Sequence, residues 1–538
     1  MTTTATTGTA AVPAAFDPRT APIPAQVRVA VIGSGFSGIG VAVRLRKQGI
    51  EDFVVLERAG SVGGTWRDNT YPGCACDVPS HLYSFSFAPN PDWTHAYSRQ
   101  PEIRAYLERT AIEFGVSPYL RCDADLISAA WDDGAQRWRL QTSRGELTAQ
   151  VLVSGCGGLI EPAFPDVPGI ESFAGTAFHS ARWDHDTKLT CKRIGVVGTG
   201  ASAIQFVPHL QRQAAHVTVF QRTAPWVVPR LDRRITTIEK RLFRRLPALQ
   251  RVVRERVYWW RELNLFTFIG RGRMRASATK QALSHLARQV PDEALREVLT
   301  PGYAIGCKRV LVSSDYFPAV SQPNVTVLPH GVQAIRPNSV VAADGSEHEV
   351  DVLVFGTGFH VMDIPVAHRL TGRTGETLSE HWKRVPAAHR GTTVAGFPNL
   401  FLLLGPNTAL GHSSVVLMIE AQIAYVIEAL KALDAHGAAS LEVRPAAQEA
   451  YNERIQQQLQ TTVWSQGGCK AWYTNDSGRN FALWPTHVFR FEKQMSTFDV
   501  ASYELRAGAA LAEPAGCSRR QRPQQQGGGG PNDEKPSS

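Results

Sequence analysis

Val27–Ile32 reads VRVAVI and runs straight into Gly33-Ser-Gly35-Phe-Ser-Gly38. A β-branched run this apolar suits a strand buried on both faces of a parallel sheet. Apolar residues at helical spacing follow, among them Ile39, Val43 and Leu45, and Phe53–Leu56 (FVVL) then predicts a second strand ending at Glu57. Strand, glycine loop, helix, strand and acid together form a dinucleotide-binding unit. Gly33 permits the tight turn, Gly35 lets the backbone approach a pyrophosphate, and Gly38 lets helix and strand pack closely. Phe36 and Ser37 complete the loop, and the helix N-terminus behind them offers unpaired N–H groups and a positive dipole end to phosphates. Glu57 can accept hydrogen bonds from ribose hydroxyls.

The same pattern recurs further along. Ile194–Val197 (IGVV) leads into Gly198-Thr199-Gly200-Ala201-Ser202-Ala203, then a helix that carries Gln205, then a strand at Val217–Phe220. The acid of the first unit lies 24 residues after its first glycine, and the same offset from Gly198 reaches Arg222, followed by Thr223. A cation there attracts a 2′-phosphate that an acid would repel. The pair of loops therefore predicts FAD or NAD at the first unit and NADP at the second. Two more strand-to-glycine junctions, VLVSGCGG from Val151 and DVLVFGTG from Asp351, frame the second unit. They predict an α/β protein with two Rossmann-like domains, the NADP domain inserted into a discontinuous FAD domain. The expected boundaries are an arm over 1–24, FAD domain 25–165, NADP domain 166–349, FAD domain 350–506 and a tail over 507–538. Arm and tail are polar and low in complexity, and both are expected to be disordered. Two nucleotide sites in one chain imply electron flow from NADPH to a flavin.

A chain of 538 residues suggests about three domains. Its composition excludes collagen, a disulfide mini-protein and wholesale disorder. The net charge of +9 is concentrated: residues 230–275 hold fourteen Arg and Lys against four Asp and Glu, which leaves the rest nearly neutral. That distribution argues against a nucleic-acid partner. Ile235, Ile238 and Leu242, then Leu249, Val253 and Val257, follow 3/4 spacing, with Pro247 suited to a helix start. They predict a helical insertion, about 230–300, opened by an amphipathic pair with its apolar face buried and its cationic face outward. A solvated basic face, attraction of NADPH, and weak adsorption to anionic membranes are three readings of that face. Eight scattered cysteines with no CxxC fit reduced thiols in a cytosolic protein, and no Cys/His cluster has metal-binding spacing. Cys74 and Cys76 read as packing residues. The N-terminus has no signal-peptide pattern, and no apolar run is long enough to span a membrane.

Between the two loops lies FAGTAFHSARWD, with Phe173, Gly175, His179, Trp183 and Asp184 at the positions of an FxGxxxHxxxW(P/D) string. This resembles the fingerprint of the Baeyer–Villiger monooxygenases, the class B flavoprotein monooxygenases. The stretches GTWRDNTYPGCACDVPSHLYSFSF, GPNTALGHSS and VWSQGGCKAWY are similar to the 4-hydroxyacetophenone monooxygenase-like branch. The resemblance implies that FAD and NADPH are the cofactors and that O2 and a ketone are the substrates. One oxygen atom would enter beside the carbonyl by way of a C4a-peroxyflavin, giving an ester or lactone. It implies a catalytic role for Arg309, with Asp77 pairing to it, and contact of Lys308 with the NADP 2′-phosphate beside Arg222 and Thr223. Gly64, Thr65, Trp66, Tyr83 and the backbone of Leu126 would meet the FAD. His179 would sit at the interdomain linker and couple domain movement to catalysis, rather than act as acid or base. Aromatic residues around Tyr258–Trp260 and at Trp464 suit an aryl or medium-chain ketone. A flavin N/S-monooxygenase that oxidises sulfides or amines is the alternative, and a non-catalytic flavin sensor or membrane-surface protein is the reading from another class.

Overall fold

The computed structural model describes residues 16–508, apart from 271, 362, 384 and 476. Its first sheet is built on β1 (Gln26–Ile32), β2 (Phe53–Leu56), β3 (Leu120–Arg121), β4 (Leu126–Asp132), β5 (Arg137–Thr142) and β6 (Gly145–Ser154). The strand order is Leu370–Thr371, β4, β5, β6, β1, β2, β3, with Leu400–Leu402 beside β6. β1 lies parallel between β2 and β6. Its alternating side chains enter two different cores, Val29 and Val31 on one face, Val27, Ala30 and Ile32 on the other. That double burial is what an unbroken apolar strand serves.

The second sheet is wholly parallel, with β7 (Thr176–His179), β8 (Arg193–Val197), β9 (His216–Phe220), β10 (Val325–Leu328) and β11 (Val352–Phe355). Its order is β10, β9, β8, β11, β7. Helix α1 (Phe36–Lys47) follows the first glycine loop and α2 (Ala203–Gln211) the second. The two-sheet architecture, one nucleotide unit nested in the other, is the one expected. The boundary at residue 350 is not: β11 pairs with β8 and β7, so the chain returns to the first sheet only beyond Phe355. A short apolar run such as VLVF suits the buried centre of either sheet, and only its partners decide between them.

Two further expectations change. The predicted arm ends earlier, because the Arg144 guanidinium donates to the carbonyls of Pro18 and Ala21, and the Cys122 N–H donates to Pro18. Residues 1–15, and all but the first two residues of the predicted tail, lie outside the described residues. The insertion does open with two helices, α3 (Thr237–Arg245) and α4 (Pro247–Asn264), with Pro247 at the start of the second. Their predicted apolar face is split: Ile235 is buried and Val257 packs against the core, but Ile238, Leu242 and Leu249 are exposed, while Gln250 and Glu262 are buried and Arg254 and Arg261 reach inward. The surface beneath these helices is the carbonyl-rich loop 76–90 of the first domain, and it needs donors more than it needs methyl groups. No described helix is long and apolar enough to cross a membrane.

Candidate active site

Glycine geometry shapes both loops. Gly33 and Gly198 turn in the left-handed region, at φ +90° and +100°. A Cβ on Gly38 would fall 1.8 Å from the Gly33 carbonyl oxygen, so no larger residue allows helix and loop this close. Gly64, also at positive φ, faces Gly35 so closely that its Cβ would lie 3.1 Å from the Gly35 Cα. Two loops therefore meet through bare backbone, and no side chain caps the N-terminus of α1. This cradle of free N–H groups fits the pyrophosphate of FAD. Glu57 ends β2, buried, where it accepts from the Ser34 N–H and hydroxyl at 2.9 and 2.6 Å and pairs with Arg67 at 2.9 Å.

Phe36 and Trp66 are buried, and the ring of Tyr83 stands edge-on to both. The Trp66 indole N–H donates to the Tyr83 hydroxyl at 3.1 Å. Thr65 opens the short helical turn that carries Trp66. Leu126, at the start of β4, is buried, and its carbonyl accepts from Arg369.

The second loop ends at α2, again without a side-chain cap at Ser202. Gly200 and Ala201 are exposed beside it, Ala203 is buried, and the Thr199 hydroxyl donates to the Thr223 carbonyl at 3.2 Å. Lys308 donates to the Thr223 hydroxyl at 3.1 Å. Partial burial, reinforced by the Arg222 charge, holds the Lys308 ammonium below its ordinary value. Neither cation has an ion-pair partner among the described residues, so this pair together with Thr223 fits a 2′-phosphate. Gln205, expected among the cofactor-binding residues, is also tied to the first domain. Its amide oxygen accepts from the Tyr71 hydroxyl at 3.0 Å and its NH2 donates to the Ala75 carbonyl at 3.0 Å. It clasps the two domains together.

Asp77 and Arg309, 232 residues apart, meet where the domains face one another. The Arg309 Nε and Nη2 both donate to the same carboxylate oxygen, at 2.7 and 2.6 Å, while Nη1 makes a 3.4 Å contact with the Leu410 carbonyl. The Arg309 side chain is 42% exposed, so solvent reaches the pair. Burial pushes the Asp77 carboxyl up, but the Arg309 charge and hydrogen bond, with a smaller push from Arg261, hold it below its ordinary value. Asp77 in turn raises Arg309. Arg261 donates to the Asp77 carbonyl at 3.1 Å, and sequence reasoning missed this inward role because it took the basic segment as one outward face. Glu262, the next residue, is likewise buried and receives His412, His487 and the Val488 N–H.

A bridge fixes the segment that carries Arg309. Cys307, two residues before Arg309, is disulfide-bonded to Cys469. This corrects the expectation of eight reduced thiols. A pairing across 162 residues leaves no spacing pattern to read. Cys74 and Cys76 are buried and unpaired, as expected of packing residues.

The five fingerprint residues lie along the crossover between the sheets. Phe173, partly buried, packs against the apolar cluster of the second sheet that holds Val197, Phe220 and Phe355. A Cβ on Gly175 would fall 2.4 Å from the Asp351 carbonyl. Trp183 is buried against Phe178 and Phe206, and Asp184 caps the next turn through Asp186 and Thr187. His179 is buried between Phe164 on the outgoing linker and Phe359 on the returning one. Burial pushes its ring down to about 4, partly offset by the Gly358 backbone, so it is neutral at pH 7.

Two abutting nucleotide cradles with an arginine–carboxylate pair between them define a flavoprotein oxidoreductase of the monooxygenase kind. The flavin-binding monooxygenase-like family matches residues 26–266. A Baeyer–Villiger monooxygenase of Streptomyces coelicolor is 51% identical over 91% of this chain and 95% of its own. Another, of Pseudomonas aeruginosa, is 47% identical over 90% and 93%. Among solved structures, a steroid monooxygenase bound to NADP superposes with TM-score 0.79 at 29% identity, covering 90% of this chain and all of that one. The chain belongs to the Baeyer–Villiger monooxygenases, which use FAD and NADPH to place an oxygen atom from O2 beside a ketone carbonyl.

Proposed function

We propose that Arg309, held by Asp77, stabilises the negative charge that develops on oxygen as the ketone is attacked, in an enzyme whose substrates are aryl or medium-chain ketones. The Asp77–Arg309 pair between the two cradles carries this reading. Bound FAD supplies the acceptance of electrons from NADPH and the activation of O2. Arg309 is a permanent cation, so it opposes developing charge without offering a proton that would quench it. Asp77 engages the Nε edge of the guanidinium and leaves Nη1 as the donor nearest to free. The first cradle, with Gly33, Gly35, Phe36, Ser37, Gly38, Gly64, Thr65, Trp66 and Tyr83, is assigned to FAD. The second, with Gly198 to Ala203, Arg222, Thr223 and Lys308, is assigned to NADP. His179, touching both linkers, is assigned to the coupling of their movement. The exposed Arg309 side chain lies beside the Leu410 carbonyl and two residues from the bridge to Cys469, which supports ketone approach from that side.

The test is Arg309→Ala. The variant should bind FAD and oxidise NADPH at a rate close to wild type, yet produce ester at least about 100-fold more slowly, the usual cost of one oxyanion donor. Ester formation at the wild-type rate would refute the role. Product analysis with acetophenone, a linear ketone, a cyclic ketone and a sulfide then fixes the substrate class.

A further inference from the structure

The outward face of the α3–α4 pair is apolar where a solvated helix would be polar. On α4, Leu249, Val252, Arg256, Trp259 and Leu263 follow one another at steps of three and four, which puts them on one face. Val252, Trp259 and Leu263 are 55%, 54% and 56% exposed, and Trp260 is 45% exposed beside them. Together with Arg251 and Arg256 they line a shallow, open depression. On α3, Ile238 and Leu242 continue the apolar surface toward exposed Leu246. Arg241, Arg245, Arg251 and Arg256 are exposed around it and have no ion-pair partner among the described residues, with Glu255 the one exposed acid on α4.

We propose that this face docks the enzyme on an anionic phospholipid surface. Charge decides the occupant. A two-fold contact with a second copy would press the same patch against itself and set arginine against arginine. An anionic headgroup layer instead complements every one of those cations. The apolar and aromatic side chains match the other half of the interface: a helix of 18 residues, about 27 Å long, lies flat with its apolar stripe at the acyl boundary and tryptophans at headgroup level. The arginines that α4 turns inward, Arg254 and Arg261, hold the helix to the protein, so docking does not require it to leave. Apolar ketones concentrate in the same lipid.

The test uses the full-length, FAD-loaded protein and vesicles of phosphatidylcholine, alone or mixed with phosphatidylglycerol. The protein should co-sediment with the mixed vesicles and much less with the neutral ones. Arg251→Glu with Arg256→Glu should lower the partition coefficient at least about tenfold. Trp259→Ser with Leu263→Ser should lower it comparably with every charge in place and with FAD still bound. A measurement on the unaltered protein guards against misfolded variants: brominated lipid should quench part of its tryptophan fluorescence, and Trp259→Phe should remove that part. Absence of co-sedimentation, or binding unaffected by either pair of substitutions, would overturn the proposal. So would a concentration-dependent dimer in sedimentation velocity that both pairs abolish, since it would give the face to a second copy.

Discussion

At the scale of single residues, the proposed coenzyme choice rests on two cations that have no ion-pair partner among the described residues. Arg222 and Lys308 approach from different segments, and burial together with the Arg222 charge lowers the Lys308 ammonium. A phosphate dianion relieves that repulsion. Removing either cation should raise the Michaelis constant for NADPH by roughly 10- to 100-fold, the worth of one charged hydrogen bond, and leave that for NADH nearly unchanged. Steady-state kinetics of Arg222→Ala and Lys308→Ala with both coenzymes decide it, and equal losses with NADH would remove the 2′-phosphate from the argument. Arg222 was legible in the sequence because a matched offset within a repeated unit is a local measurement. Gln205 was legible only as a loop residue. Its clasp on Tyr71 and Ala75 crosses 130 residues of chain, and nothing local encodes the partner. Arg261 was hidden for the opposite reason: it sits among many arginines, and helical periodicity does not say which of them look inward.

At the scale of elements, the strands and glycine loops were read correctly because burial on both faces and a positive φ each demand particular residue types. The α3–α4 pair was read only in part: Ile235 and Val257 do pack inward, but Ile238, Leu242 and Leu249 do not. Periodicity locates an amphipathic face, but the surface it meets decides which side is buried, and loop 76–90 presents backbone carbonyls that bind Gln250 and Arg254. The Cys307–Cys469 bridge acts on another element, the segment 463–473, and joins it to the irregular stretch that carries Lys308 and Arg309. Opening it with Cys469→Ser should lower stability by about 2–5 kcal/mol, as expected for a bridge that closes a long loop. Thermal unfolding of wild type and variant measures this. Because the bridge anchors the neighbour of Arg309, the variant should also lose ester yield per NADPH consumed. A thermal midpoint equal to that of the wild type, with or without reductant, would show that the bridge carries no such load.

At the scale of the whole molecule, two nucleotide domains joined by two linkers must share one stable arrangement, and the histidine between those linkers makes that arrangement sensitive to acid. Burial lowers His179 to about 4, and burial also lowers His81, beneath α3, to about 4. Both rings titrate near 6.5 once unfolded. Between pH 6.5 and 4 the unfolded chain therefore binds protons that the folded one refuses, and stability rises with pH across that window. The contribution of each ring is complete above about 6.5 and is lost as pH falls toward 4, by roughly 2–3 kcal/mol per ring at the acid end. Chemical denaturation at pH 7.5, 6, 5 and 4 should show this decline. His81→Gln, remote from the linkers, should flatten part of the slope with FAD still bound, whereas His179→Gln should flatten the slope and also uncouple NADPH oxidation from ester formation. If both variants change the slope alike and neither changes the coupling, His179 is a packing residue and the linkers move without it.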